Sequence, residues 1–209
     1  MNELLLFAGE DILTARCDDS DTLHAKAELF LQSGLWEEVV RGMNDLTVKY
    51  DPLGMSGDEA ELQFSRLWKM PFSTGGLSEA VLTLEARFAE NDGPDLEMVA
   101  GKLGMNSEEL PHWLAQRNYR VTMMGFQPGF AYLEDGEPAH LPTLARLDTP
   151  RQRVTAGSIG FLGGRACIYA LDGPGGWPII GRVREPLFRR DNSHLFLLKP
   201  GQLLRFKPI

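Results

Sequence analysis

Cysteine is scarce in this chain of 209 residues, where Cys17 and Cys167 are the two present. Two thiols so far apart in sequence make neither a disulfide framework nor a structural metal site, which fits a reducing cytoplasm. Histidine is nearly as rare, and His24, His112, His140 and His194 show no metal-ligand spacing, so no metal is expected. No apolar run approaches the roughly 20 residues that cross a bilayer. The first residues, Met1 to Phe7, carry an acidic rather than a basic start, unlike a signal peptide. There is no Walker A pattern and no Gly-x-Gly-x-x-Gly, so the commonest phosphate cradles are missing. Basic residues are outnumbered, 21 Lys and Arg against 29 Asp and Glu, for a net charge of −8. That balance argues against a nucleic-acid or anionic-membrane partner. The expectation is a soluble, cytoplasmic protein.

What is present suffices for a core, with 43% hydrophobic and 24% charged residues. The charge is split unevenly. Residues 1–100 hold 7 basic and 20 acidic side chains, whereas 101–209 hold 14 and 9 together with 14 of the 22 glycines. A basic, glycine-rich second half is where binding is expected.

The first 70 residues alternate strands and helices. Runs at 3–7 and 11–17 read as strands around Gly9, and Ser20 or Asp21 caps a helix to Ser33 that buries Leu23, Ala27, Phe30 and Leu31 before Gly34. Runs at 39–43 and 46–50 flank the turn Asn44-Asp45, and Asp58–Trp68 reads as a helix with Ala60, Phe64 and Leu67 inward. This β-α-β-β-α order predicts a ferredoxin-like α+β domain over 1–78, with a linker at 70–78 around Pro71, Gly75 and Gly76. In the remainder, 79–209, a strand at 80–88 precedes a helix opened by Pro94, Asp95 and Glu97 and closed by Gly104. Asn106 and Glu109 form a capping-box pattern for a second helix through Leu114. Strands follow at 120–126, 158–162, 166–171, 179–183, 195–198 and 203–207, separated by Gly and Pro clusters, which predicts a compact β-barrel or sandwich.

Four segments hold more glycine and proline than simple turns need. Gly125 to Tyr132 supplies bare backbone at Gly129, a stiff Pro128, the amide of Gln127, and Phe126, Phe130 and Tyr132, which form either an apolar ligand wall or packed core. In Asp148 to Arg153, Arg151 and Arg153 either pair bidentately with a carboxylate or phosphate or stand as solvated strand-edge cations. Ala156-Gly157-Ser158-Ile159-Gly160 superficially matches a nucleophile elbow, but a β-run follows where an elbow requires a helix. Ser158 is therefore read as a hydroxyl that bonds backbone or substrate at the Gly157 turn. Gly173 to Arg182 places Gly175 and Gly176 beside Trp177, which either walls a small planar substrate or covers the barrel end. No residue is assigned as the catalytic base.

Taken in order, Gly125-Phe126-Gln127-Pro128-Gly129-Phe130, Thr149-Pro150-Arg151, Ala156-Gly157-Ser158, Pro174-Gly175-Gly176-Trp177 and Ile180-Gly181-Arg182 resemble a known family. It comprises the B subunit of bacterial 5-oxoprolinase, also called allophanate hydrolase subunit 1, the carboxyltransferase subdomain of urea carboxylase, and the sporulation kinase inhibitor KipI. The resemblance extends upstream through Gly93-Pro94-Asp95-Leu96 and Gly42 to Pro52, and so covers most of the chain. It implies an N-terminal ferredoxin-like layer followed by a C-terminal cyclophilin-like β-barrel. It also implies partners, namely a homologous C subunit and an A subunit, with which the B subunit opens the 5-oxoproline lactam to glutamate at the expense of ATP. ATP would be a cosubstrate of the complex, with no cofactor bound covalently, and the B subunit would be inactive alone. Two other activities are implied by the same family: inhibition of a sensor histidine kinase, and carboxyl transfer or allophanate-type amide processing with biotin carried on another protein. Four positions depart from the family's usual pattern: Phe88-Ala89-Glu90, Leu114, Thr155 and Ala166-Cys167.

Overall fold

The computed structural model describes residues 5–7, 9–72, 80–135, 141–142, 144–189 and 195–209. The chain divides into two compact units, Met1–Leu77 and Ser78–Ile209. Most of the expected linker at 70–78 lies outside the described residues.

In the first unit the order is β1 (Leu5–Phe7), β2 (Ile12–Arg16), α1 (Ser20–Ser33), β3 (Glu38–Arg41), β4 (Asp45–Lys49) and α2 (Gly57–Lys69). The four strands form one antiparallel sheet in the order β1-β2-β4-β3. From β2 onward the run is the β-α-β-β-α of a ferredoxin-like layer, and β1 supplies the outer strand beside β2. Alternation decides which face is buried: Leu13 and Ala15 of β2 and Leu46 and Val48 of β4 are shut off from solvent. On the opposite face Thr14 and Thr47 share a hydroxyl hydrogen bond of 2.8 Å. The helices close over the buried face through Phe30, Phe64 and Trp68, with the Phe30 and Phe64 ring centroids 4.8 Å apart.

Two expectations for α1 change. Its N-cap is Asp19, which accepts from the Thr22 N–H at 2.6 Å, rather than Ser20 or Asp21. Leu31, expected on the buried face, is 55% exposed, because the stripe through Leu23, Ala27 and Phe30 already points the core-facing side away from it. Gly34 ends the helix in the left-handed region at φ 66°. For α2 the cap is Ser56, in a reciprocal box with Glu59.

The second unit contains β5 (Val81–Arg87), α3 (Leu96–Lys102), α4 (Glu109–Ala115), β6 (Tyr119–Met124), β7 (Ala131–Asp135), β8 (Arg151–Val154), β9 (Ser158–Phe161), β10 (Arg165–Ile168), β11 (Gly173–Gly175), β12 (Ile179–Val183) and β13 (Leu203–Pro208). A barrel closes in the order β10-β7-β6-β13-β5-β12-β9, with β9 and β10 paired to complete the circuit. Its pairs are antiparallel except for β13 with β5, which run parallel over Leu203–Pro208 and Val81–Ala86. Leu84, Tyr119, Val121, Leu133, Ile159, Phe161, Leu204 and Phe206 fill the interior in one cluster with Leu96, Val99, Leu110 and Leu114 of the two helices. The expected α+β architecture, a ferredoxin-like layer and a β-barrel, is therefore present. Among the described residues no helix is long and apolar enough to cross a membrane.

Individual strands depart from the sequence-based expectation. β7 begins at Ala131, inside the segment whose composition suggests an apolar loop, and β8 and β11 pair with each other in a separate ribbon where loops are expected. The run at 195–198, expected as a strand, makes a single bridge, Phe188 to Phe196. Asp95 stands at the N-cap of α3 and Glu97 in its first turn, and the Asp95 side chain makes no cap hydrogen bond to the helix.

One close approach fixes where the segment before α3 lies. A Cβ on Gly93 would fall on the Ile180 carbonyl and within 2.9 Å of the Gly181 nitrogen, so only a bare backbone lets this turn lie against β12. The neighbouring Asp95 N–H donates to the Ile179 carbonyl at 2.9 Å. Because the obstacle is backbone rather than a flexible side chain, Gly93→Ala should destabilise the protein by about 1–3 kcal/mol. A urea denaturation midpoint unchanged from the parent would refute this account of the close approach.

Candidate functional site

A cleft of about 170 Å³ opens in the second unit where the turn before α3 meets β8, β9 and β12. The turn contributes Asn91, Asp92 and Pro94, β8 and the loop after it contribute Arg151, Arg153 and Thr155, and Ser158 and Arg182 come from β9 and β12. The apolar floor is Val154 and Ile179.

Each arginine at this cleft carries its own aspartate. Arg151 Nη2 lies 2.8 Å from Asp95 Oδ1, whose other oxygen, Oδ2, accepts from the Ile179 N–H at 2.6 Å. Arg182 pairs with Asp92. Arg153 lies 2.6 Å from Asp172, which also accepts from the Ala156 N–H at 2.7 Å. The Ala156 amide, with help from Arg153, holds the Asp172 carboxyl below its ordinary value. Arg151 Nη1, by contrast, is out of contact with solvent and has no hydrogen-bond partner. A buried donor left in that condition costs about 1–3 kcal/mol. The cleft is thus nearly neutral, supplies both donors and acceptors, and holds one guanidinium edge in reserve.

Ser158 is 5% exposed at the cleft, and its strand-to-strand setting after Gly157, at φ 86°, is not a strand-to-helix elbow. Of the expected site residues, Arg151 and Ser158 line this cleft, and Gly157 directly precedes Ser158. The remaining expected site residues gather elsewhere in the same unit. Phe130, Tyr169, Trp177, Cys167, Val154 and Ile179 form a buried cluster edged by Tyr132. Phe130 stands 4.8 Å from both Tyr132 and Tyr169, ring centre to ring centre, and Tyr132 stands 6.2 Å from Trp177. Trp177 is 7% exposed, so it packs as core and backs the cleft through the shared residues Val154 and Ile179 rather than walling it directly. Gly175 is bare because the Tyr169 ring occupies the position of its Cβ, and Gly176 faces Pro150.

The turn between β6 and β7 carries the rest. Gly129, at φ 76°, tucks against Phe196 and Ala170, Gln127 donates to the Leu171 carbonyl at 3.4 Å, and Pro128 is exposed. Phe126 is 64% exposed and has a left-handed φ of 72°. Burial pushes the Tyr169 hydroxyl up to about 12 and pushes the Cys167 thiol up as well, so neither is ionised at neutral pH. Three of the four departures from the family pattern are structural in the same way. Leu114 and Ala166-Cys167 are buried, and Ala89 accepts the turn bonds from Asp92 and Gly93. Thr155 alone among them lines the cleft. Among the described residues no group of three His, Cys, Asp or Glu is arranged to hold a metal ion.

The sequence reading missed Asp92, Asp95 and Asp172 as site residues. A signal existed for Asp95 in Gly93-Pro94-Asp95-Leu96, but it was also a good helix opening, and that local explanation hid the distant partner.

The family model for the carboxyltransferase domain, subdomain C and D, matches residues 3–198. The chain belongs to this family. Within it, the chain is 36% identical to the 5-oxoprolinase B subunit of Escherichia coli O157:H7 over 180 residues, 82% of this chain and 77% of that protein. Against the 5-oxoprolinase B subunit of Haemophilus influenzae the identity is 33%, over 81% of this chain and 78% of the relative. Among solved structures, TTHA0988 superposes with a TM-score of 0.79 at 29% identity over 95% of this chain, which spans 40% of the length of TTHA0988. Kluyveromyces lactis urea carboxylase, at 13% identity and a TM-score of 0.71 over 98% of this chain and 21% of that one, shares the carboxyltransferase-domain fold.

Burial separates the roles of two residues in this carboxyltransferase-domain chain. Trp177→Ala should lower stability by about 3–5 kcal/mol, as large aromatic deletions from a core do. Arg151→Ala should cost distinctly less, since its side chain is 30% exposed. Equal urea midpoints for the two variants would contradict this division. The lowered Asp172 carboxyl carries a pH signature with a fixed sign. Its contribution to stability is complete above the ordinary value of 3.8 and is lost as pH falls through the lower folded value. Asp172→Asn should therefore flatten the acid limb of the stability profile below about pH 4, and a limb of unchanged slope would count against it.

Proposed function

We propose that the chain is one component of a multi-subunit, ATP-dependent 5-oxoprolinase, acting in the cytoplasm with a homologous C subunit and an A subunit and inactive alone. The relatives named as B subunits of 5-oxoprolinase support this reading at the level of the whole chain. The observation that carries it at the level of the site is the cleft, where paired arginines and aspartates offer donors and acceptors side by side, at a scale suited to a small lactam acid. Pockets for drug-sized ligands run to about 300–1,000 Å³. At about 170 Å³ this cleft is on the scale of a small acid.

The chemistry asks for an assembly. An unstrained lactam resists water, and transfer of a phosphoryl group to its oxygen makes the carbonyl carbon a better electrophile before hydrolysis to glutamate. Water then adds to that carbon, the ring C–N bond breaks with its electron pair passing to the nitrogen, which takes up a proton, and phosphate is released. Arg182, held in place by Asp92, is a fixed cation at the cleft that favours negative charge on substrate oxygens.

Full-length chain, purified alone and after co-expression with the products of the neighbouring genes, is assayed for glutamate formation and ATP hydrolysis dependent on 5-oxoproline. Turnover by the assembly and none by the chain alone is expected. An intact assembly without 5-oxoproline-dependent ATP hydrolysis would overturn the proposal.

A further inference from the structure

Asp95 uses both oxygens to join separate strands. Oδ2 takes the Ile179 N–H of β12 at 2.6 Å, and Oδ1 takes Arg151 Nη2 of β8 at 2.8 Å. The bond to backbone orients the carboxylate, and the carboxylate in turn orients a guanidinium whose donors form a rigid planar fork. With Nη2 occupied, Nη1 is the edge without an acceptor. The arginine side chain lines the cleft and is 30% exposed, while Nη1 itself is shut off from solvent, so recognition by that edge requires the guanidinium to turn about its Asp95 contact.

We propose that Asp95 is a positioning residue which, by holding Arg151 at Nη2, makes the other edge of the guanidinium the recognition group for the carboxylate of a small substrate. This rests on the reading that the cleft takes a lactam acid, and it names the group that reads the acid. The surrounding charge favours a monoanion. Arg151, Arg153 and Arg182 are each matched by an aspartate, so a phosphate dianion would enter beside three carboxylates with no free positive charge to offset it, and a monoanion is penalised less. A single carboxylate needs one free guanidinium edge, which is what Arg151 retains. Asp95 itself need not touch the ligand.

The test compares L-5-oxoproline with its neutral carboxamide, which keeps the ring and replaces only the acid. Calorimetry on the full chain in its assembly should show at least a tenfold preference for the acid, and inorganic phosphate should bind more weakly than the acid. Arg151→Lys and Asp95→Asn should each bring the ratio of acid to amide close to one. In turnover the same variants should raise KM for 5-oxoproline about tenfold while changing kcat far less, a split that general loss of structure does not produce. If Asp95→Asn does not fold, Arg151→Lys decides the matter.

An unchanged acid preference in the variants, or tighter binding of phosphate than of the acid, would overturn the assignment while leaving the lactam reading intact. Arg151-dependent binding of butyrate with no binding of 5-oxoproline would do the reverse, sustaining the carboxylate site and removing the lactam reading. Failure of the parent assembly to bind any of these carboxylates would overturn both.

Discussion

The Asp95 carboxylate is the contact on which the candidate site depends. It reaches from the turn before α3 to the backbone of β12 and to Arg151 on β8, and so sets two walls of the cleft against each other. Both bonds require the turn to lie close to β12, and that closeness rests on the missing side chain of Gly93. A small backbone accommodation therefore has a chemical consequence, because it decides which edge of a guanidinium is occupied and which is free. The Asp92 to Arg182 pair repeats the arrangement from the same turn to the other end of β12.

Behind the cleft the barrel supplies rigidity rather than chemistry. Phe130 packs edge to face on Tyr169 and Tyr132, and Tyr132 on Trp177, in a cluster with Cys167, and the glycines among them are bare because rings or sulfur occupy the space of their Cβ atoms. Gly160 meets Cys167 and Trp177 in this way, and Gly175 meets Tyr169. Aromatic and glycine-rich motifs that suggest a ligand wall in one dimension thus include several that serve close packing in three. Val154 and Ile179 belong to both the cluster and the cleft floor, so packing of the aromatics bears directly on the shape of the site.

Elements with strong local signals were legible in the sequence. The helix ending at Gly34, the inward stripe of Ala60, Phe64 and Leu67, the reciprocal pattern of Asn106 and Glu109, and the change to short strands near Tyr119 all have counterparts in the structure. Elements whose pairing partner is distant were not. β7 starts at Ala131, within a segment rich in glycine and aromatics, and β8 and β11 exist because they bond to each other rather than through any propensity of Gly173-Pro174-Gly175. The 195–198 run has the composition of a strand but finds one bridge in place of a ladder. Strand propensity records fitness for a pleated surface, and a partner still has to be there.

The same division applies to the site. The α+β architecture and the family are written in the sequence, because they rest on periodicity, turn chemistry and ordered motifs within short stretches. That Trp177 is core, and that Arg151, Arg153 and Arg182 are matched by Asp95, Asp172 and Asp92, emerges only from the folded chain. The reason is physical: whether a charge is free or compensated depends on distances of a few ångströms between strands far apart in the chain, and no local pattern encodes them.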